Sequence, residues 1–249
     1  MTIAEQVTPL ASEPLSQSRL AIQLMGRFRV LMGLKSLVLP TCAMRVVAFL
    51  ALHPVEYQRS HVAGQLWPDV TEQRARANLR NAVWKANTTV DGLVEGDTET
   101  IRLRENIEVD VAVLRITARD LLERSHPMHA SISPDIFAEE MLLGWEDDWA
   151  LFERERIKQL CLHALETLSL LHLEAGAPAA AIDAALLAVR LEPLRESAHR
   201  AISRAHLEEG NIAQAVRQFE AYRALLHREL ALTPSAGYHQ LLGKRTPAA

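Results

Sequence analysis

Arg74, Arg76, Arg80, Asn81 and Lys85 crowd the stretch TEQRARANLRNAVWKANTTV at 71–90, and no acid stands between Glu72 and Asp91. Guanidinium and ammonium groups meet phosphate oxygens, and Arg and Asn also bond base edges in the DNA major groove. The spacing predicts a helix. At about 100° per residue, Ala75, Leu79, Ala82, Val83, Ala86 and Val90 fall in one apolar stripe. Arg74, Ala77, Asn81, Trp84, Lys85 and Thr88 fall opposite, with Arg76 and Arg80 on the edge. Such a face suits a polyanion; the competing reading is a solvated helix with a chance excess of arginine.

The neighbouring segments say what would position that helix. Residues 41–52 read as an apolar helix, and 60–67 (SHVAGQLW) as a short second one with Ser60 as its N-cap. Trp67-Pro68 ends it, because proline disfavours helix in the residue before it. After the long helix, the alternating runs 100–104 and 107–109 read as a hairpin joined by Glu105-Asn106. Three helices and a basic hairpin make the layout of a winged helix-turn-helix, with the third helix in the major groove and the hairpin on the backbone. Arg102 and Arg104 alternate with Ile101 and Leu103, so they point outward towards phosphate. Arg59, just before the second helix, would meet a phosphate at that helix N-terminus. Trp84 has two readings: contact with DNA, or packing against the wing.

Upstream, Ile22, Leu24, Phe28, Val30, Leu37 and Leu39 are spaced by twos, with Gly26 and Gly33 at turns. This predicts a small antiparallel sheet of three strands. Residues 1–18 are polar, contain Pro9 and Pro14 and have no periodicity, the pattern of a disordered leader. The net charge of −4 conceals an asymmetry. Residues 20–90 carry nine basic and three acidic groups, a net +6, whereas 111–249 carry 15 basic and 19 acidic, a net −4. Such a split hints at a nucleic-acid-binding portion joined to something else. Cys42 and Cys161 sit in apolar helical patterns and read as buried reduced thiols, which fits a cytoplasmic compartment. No apolar run approaches the ~18–20 residues of a membrane span, and no basic patch precedes an apolar core as in a signal peptide.

From residue 111 the chain reads as helical. Helices are expected at 113–124, at 135–143 ending on Gly144, and unbroken over 147–175. In the last, Trp149, Phe152, Leu160, Ala164, Leu168 and Leu171 would share one stripe. The tract Trp145-Glu146-Asp147-Asp148-Trp149 is a helix start with acids complementing the dipole. As a metal or acid/base site it lacks His or Cys at ligand spacing. Leu173-Glu174-Ala175-Gly176, followed by Ala181-Ile182, returns as Leu207-Glu208-Glu209-Gly210, followed by Ala215-Val216, at an offset of 34 residues. That is the tetratricopeptide (TPR) period. Small Ala181 and Ala215 let paired helices approach, and Gly176 and Gly210 stop each first helix. Two full units plus the preceding helix make a short solenoid.

RARANLRNAVWKAN at 74–87, LLGWEDDWALFERERIKQLCLHALE at 142–166 and EPLRESAHRAISRAHLEEGNIAQAVRQFEAYRALLHRELALTP at 192–234 carry a family resemblance. The chain resembles the SARP family (Streptomyces antibiotic regulatory proteins) over about residues 20–242. The resemblance implies an OmpR-like winged-helix DNA-binding domain followed by a bacterial transcriptional activator domain of TPR-like helices. It also implies a transcriptional activator that binds promoter repeats in double-stranded DNA, self-associates there and recruits RNA polymerase holoenzyme. Where family members usually continue Trp-Arg-Leu-Arg, this chain reads Trp84-Lys85-Ala86-Asn87. Fewer guanidinium groups mean fewer phosphate contacts and a shallower salt dependence, and Lys does not reproduce a bidentate Arg fork on guanine.

Nothing points to catalysis: H-E-x-x-H, G-x-G-x-x-G, G-x-x-x-x-G-K-[ST] and G-x-S-x-G are all missing from the sequence. The expected fold is α+β, a winged helix-turn-helix with a small antiparallel sheet, followed by an all-α TPR-like solenoid. Expected boundaries are a leader at 1–18, the winged domain at 19–110, the helical domain at 111–243 and a tail at 244–249. The expected function is DNA-binding regulation through Arg74, Arg76, Arg80, Asn81, Trp84, Lys85, Arg102, Arg104 and Arg59. No cofactor, metal or membrane is involved in that reading. The rival is a TPR adaptor whose winged domain no longer reads DNA.

Overall fold

The computed structural model describes residues 19–123 and 132–243. The expected leader and tail, together with the last residue of the helix expected at 113–124, lie outside the described residues. The chain divides into two compact units, one holding residues 19–23 and 28–109, the other 24–27 and 110–243.

In the first unit, β1 (Leu20–Gln23), β2 (Arg29–Met32) and β3 (Lys35–Leu37) pair antiparallel, as the alternation predicts. A fourth strand, β7 (Glu108–Val109), joins β1 in parallel, giving the order β3-β2-β1-β7. Gly26 (φ +71°) and Gly33 (φ +58°) supply left-handed turns that a side chain would oppose. Helix α1 (Thr41–Leu52) is almost wholly buried. Helix α2 runs Arg59–Leu66 and α3 runs Glu72–Thr89. Ser60 is not the N-cap of α2: the helix begins one residue earlier, and the cap position is Gln58, which makes no side-chain capping bond. The backbone of Arg59 is held instead by pairing, its N–H donating to the Glu99 carbonyl at 2.8 Å.

The expected hairpin of 100–104 with 107–109 does not form. β6 (Thr100–Leu103) pairs antiparallel with β5 (Val94–Glu95) on one side and with β4 (Tyr57–Gln58) on the other. Asn106, at φ +61°, turns the chain so that 108–109 runs beside β1 instead. Two short alternating runs next to each other in sequence looked like partners, but a two-residue strand at 94–95 carries too little pattern to announce itself.

In the second unit, α4 (Asp110–Leu122) starts on a carboxylate with two duties. Asp110 accepts the N–H groups of Leu24, Met25 and Val111 at 2.7–2.9 Å, tying segment 24–27 into this unit. Burial pushes its carboxyl above the ordinary range, and those backbone donors oppose the shift. The helix expected over 135–143 is absent. Only a 3-10 turn, Pro134–Phe137, forms there. The following backbone pairs with segment 24–26: Gly26 N–H to the Glu140 carbonyl at 2.7 Å, Leu142 N–H to Leu24 at 2.7 Å and Leu143 N–H to Gly26 at 2.8 Å. Those long-range bonds replace helical ones, and the Arg154 guanidinium takes the carbonyls of Met141, Leu142 and Trp145.

Helix α5 (Asp148–Glu174) is unbroken as expected, but its buried side is rotated from the expected stripe. Ile157, Cys161, Ala164, Leu165, Leu168 and His172 face the core, while Phe152 is 71% exposed and Leu160 and Leu171 are half-buried. Trp145 and Trp149 meet edge to face at its start. Then come α6 (Pro178–Leu191), α7 (Glu196–Glu208), α8 (Ile212–Leu230) and α9 (Ala236–Gly243), each of α5 to α8 packed on the next. The repeat is exact in its bonds. Ser169 donates to the Ala181 carbonyl and Ser203 to the Ala215 carbonyl, again 34 residues on. Ala181 and Ala215 are fully buried, and Gly176 (φ +71°) and Gly210 (φ +78°) close each first helix. Cys42 is half-buried rather than buried; Cys161 is buried, and burial pushes its thiol up to about 12. Both cysteines are free.

His199 is buried in this unit, its Nε2 donating to the Pro193 carbonyl at 2.9 Å and its Nδ1 facing the Gln218 amide at 2.8 Å. Burial lowers its pKa, partly opposed by the Pro193 carbonyl, and burial likewise lowers that of His172. A lowered folded value means that the unfolded chain binds more protons just below its ordinary value near 6.5, so stability falls as pH drops through that window. The thermal midpoint of the helical unit is therefore expected to decline from pH 7 to pH 5, and His199→Gln to flatten the decline. An unchanged pH profile in the variant would show that His199 is not its source.

Candidate nucleic-acid interface

Helix α3 buries Ala75, Leu79, Ala82 and Ala86 against α1 and α2, with Val83 half-buried at the edge of that side. Its other side carries Arg74, Arg80, Asn81 and Trp84 exposed and Lys85 half-buried. Trp84 is 65% exposed. Among the described residues, Arg74, Arg80 and Lys85 have no ion-pair partner. Arg76 is bound to Glu72 one turn away, at 2.6 Å.

The remaining predicted arginines lie around the wing, β5–β6, and each has a protein partner. Arg102 pairs with Glu105 at 2.6 Å and Glu95 at 3.1 Å, and Glu105 foremost holds its guanidinium pKa above the ordinary value. Arg104 donates to the Asp91 carbonyl at 2.9 Å, and Arg59 to the Asp97 carbonyl at 3.1 Å. A cleft of about 150 Å3 nevertheless brings Arg59, Arg76 and Arg80 together beside Ser60 and the wing residues Thr98 and Glu99. Three of the nine candidates thus share one small concave surface at the start of α2. Arg102 and Arg104 do not line it.

Two positioning features escaped the sequence reading. Asn87, where the resemblance implies arginine, clasps the backbone of Val94 both ways: its amide donates to the carbonyl and its Oδ1 accepts the N–H, each at 2.9 Å. It fixes the end of α3 to the first wing strand. In the wing turn, Asp97 Oδ1 accepts the N–H groups of Glu99 and Thr100 at 2.8 and 2.7 Å, and chiefly the Thr100 bond lowers its pKa. Gly96, at φ +147°, is required there: a Cβ would stand 2.3 Å from the Thr100 carbonyl oxygen. The clue to Asn87 was its departure from the family pattern, but only a strand at 94–95 gives the amide its work.

Asn87→Leu is expected to orphan both Val94 groups, at a cost of about 1–3 kcal/mol. The effect should appear as faster amide exchange at 94–103 with α3 unchanged. Unchanged exchange there would mean that Asn87 does not hold the wing.

The architecture is a winged helix-turn-helix with a small sheet, joined to a TPR-like solenoid. Residues 109–243 match the bacterial transcriptional activator domain, and the chain belongs to that family, as a transcriptional regulator of the SARP type. Members of such a family are normally non-enzymatic. The fold is similar to that of Mycobacterium tuberculosis EmbR in complex with low affinity phosphopeptide, at TM-score 0.66 and 16% identity over 93% of this chain. The match spans 66% of that chain's length. No curated protein sequence matches significantly. Among the described residues no helix is long and apolar enough to cross a membrane, and no cluster of three metal-ligating side chains occurs.

Proposed function

We propose that the protein is a cytoplasmic, non-enzymatic, sequence-specific DNA-binding activator. The winged domain (19–110) reads promoter repeats in duplex DNA, and the helical domain (111–243) recruits RNA polymerase holoenzyme and a neighbouring copy. The observation carrying this reading is the outer side of α3, where Arg74, Arg80 and Lys85 have no ion-pair partner among the described residues and Trp84 stands exposed. Unpaired cations on an exposed helix are what phosphates and base edges need. In this reading Arg59, Arg76 and Arg80 cradle a backbone phosphate in their shared cleft, and Asn81 and Lys85 face bases. Arg102 and Arg104 reach phosphate by exchanging their present partners. Two weak contacts, one with DNA and one with polymerase, reinforce each other through effective concentration.

One observation favours the adaptor reading. Arg59, Arg76, Arg102 and Arg104 already have partners within the chain, and Asn87 holds the wing. The deciding experiment titrates the purified protein across salt against DNA upstream of its own gene neighbourhood, genomic fragments and unrelated duplex. Sequence preference with a linear log–log salt dependence supports the DNA reader. Equal, feeble binding to every fragment favours the adaptor.

A further inference from the structure

We infer that the cleft between α5, α7 and α9 of the helical unit binds an acidic segment of a partner protein. Arg200 and Arg204 hold a carboxylate, and Leu170, Leu173 and Leu241 take an adjacent apolar side chain. The cleft measures about 230 Å3 and is lined by these residues with Glu166 and Ser197. Pockets for small molecules run to roughly 300–1,000 Å3. A smaller, charged and apolar cleft suits one or two side chains of a segment lying along the helices.

Arg200 and Arg204 are one turn apart on α7, so their side chains share a face. Neither has an ion-pair or hydrogen-bond partner among the described residues. Two like charges at this spacing oppose each other, and an incoming carboxylate relieves both. The acid in the lining does not offset them: Glu166 is paired with Arg195, at 2.5 and 3.1 Å, and accepts the Ser197 hydroxyl. Those donors hold its carboxyl below the ordinary range even though burial, the largest single influence, acts the other way. The cleft therefore presents net positive charge beside an apolar wall.

The repeat sharpens the case. An offset of 34 residues places Glu166 and Leu170 in α5 where Arg200 and Arg204 stand in α7. The helical scaffold thus accommodates an acid and a leucine at these positions, so packing alone does not call for arginine. Arg forks bind carboxylates in two parallel bonds, with more geometric definition than Lys. The cleft lies wholly in the helical unit, so DNA reading through α3 can fail without affecting it.

The test selects random octapeptides displayed on phage against the full chain, in parallel with an Arg200→Gln, Arg204→Gln variant. Expected are sequences rich in Asp or Glu beside Leu, Ile or Phe, bound at least tenfold more weakly by the variant and by peptides with Gln for Glu. An Arg200→Lys, Arg204→Lys variant should recover part of the binding, and all variants should keep the wild-type thermal midpoint. Selection of neutral or basic peptides, or no enrichment over the Gln variant, overturns the inference. So does a loss of duplex-DNA affinity in the Gln variant without peptide selection, which would give the arginines to phosphate.

Discussion

Arg80→Ala with Lys85→Ala is expected to weaken binding to target DNA by roughly 100-fold and to lower the log–log salt slope by about 1, near 0.9 for the phosphate contact of Arg80, while the lost base contact of Lys85 relaxes discrimination between sequences. Both side chains lie on the outer side of α3, away from Ala75, Leu79, Ala82 and Ala86, and neither has an ion-pair partner among the described residues. Alanine is a better helix former than either, and surface changes away from special features stay within about 0.5 kcal/mol. The thermal midpoint should therefore hold while affinity collapses. Fluorescence anisotropy at several salt concentrations reads both quantities. If Lys85 also meets phosphate, the slope falls by about 2 and discrimination between sequences is kept. Unchanged affinity in the double variant, with promoter output intact, would remove α3 from the mechanism and leave the adaptor reading.

The largest expected loss of stability comes from Tyr238→Ala, about 3–5 kcal/mol as for large buried aromatics. Tyr238 is the fully buried centre of α9. Its ring meets Phe219 edge to face at 4.9 Å and lies 5.9 Å from Tyr222. Its hydroxyl donates to the His199 carbonyl at 3.0 Å and lies 2.8 Å from Ser203 Oγ. Burial pushes the phenol up to about 12, so it stays neutral and available as a donor. The substitution leaves a void between α7, α8 and α9 and orphans those groups. Tyr238→Phe keeps the ring and should lose only about 1–2 kcal/mol, through the orphaned partners. Urea unfolding followed by circular dichroism measures both variants. A loss below 1 kcal/mol for Tyr238→Ala would show that α9 is not anchored through this ring.

Much of this was written in local pattern. The period of 34, the glycines closing each first helix and the buried Ala181 and Ala215 follow from repetition and residue size. The apolar stripe of α3 and the three alternating strands follow from periods of 3.6 and 2, which need no knowledge of partners. Where the outcome depended on distant partners, local pattern failed. The run 107–109 alternates equally well for an antiparallel hairpin or a parallel edge, and only β1 decides between them. Residues 138–143 have helical composition, yet their backbone bonds are claimed by segment 24–26, more than a hundred residues away. The stripe of α5 was misplaced because a long helix packed on several neighbours shows no single apolar face to read.

The candidate site divides along the same line. Arginine and lysine on one acid-free helix were legible, because charge and helical period are properties of residue type and order. Which of those charges are free was not: Glu95 reaches Arg102 only because β5 and β6 pair, and the Asp97 carbonyl reaches Arg59 only because folding brings the wing beside α2. Residue order thus settles which elements form and which face of α3 is cationic, since both are short-range. Strand pairing, buried hydrogen bonds and the capture of Arg59 by the wing are decided by contacts between residues far apart in the chain, and these exist only in the tertiary structure.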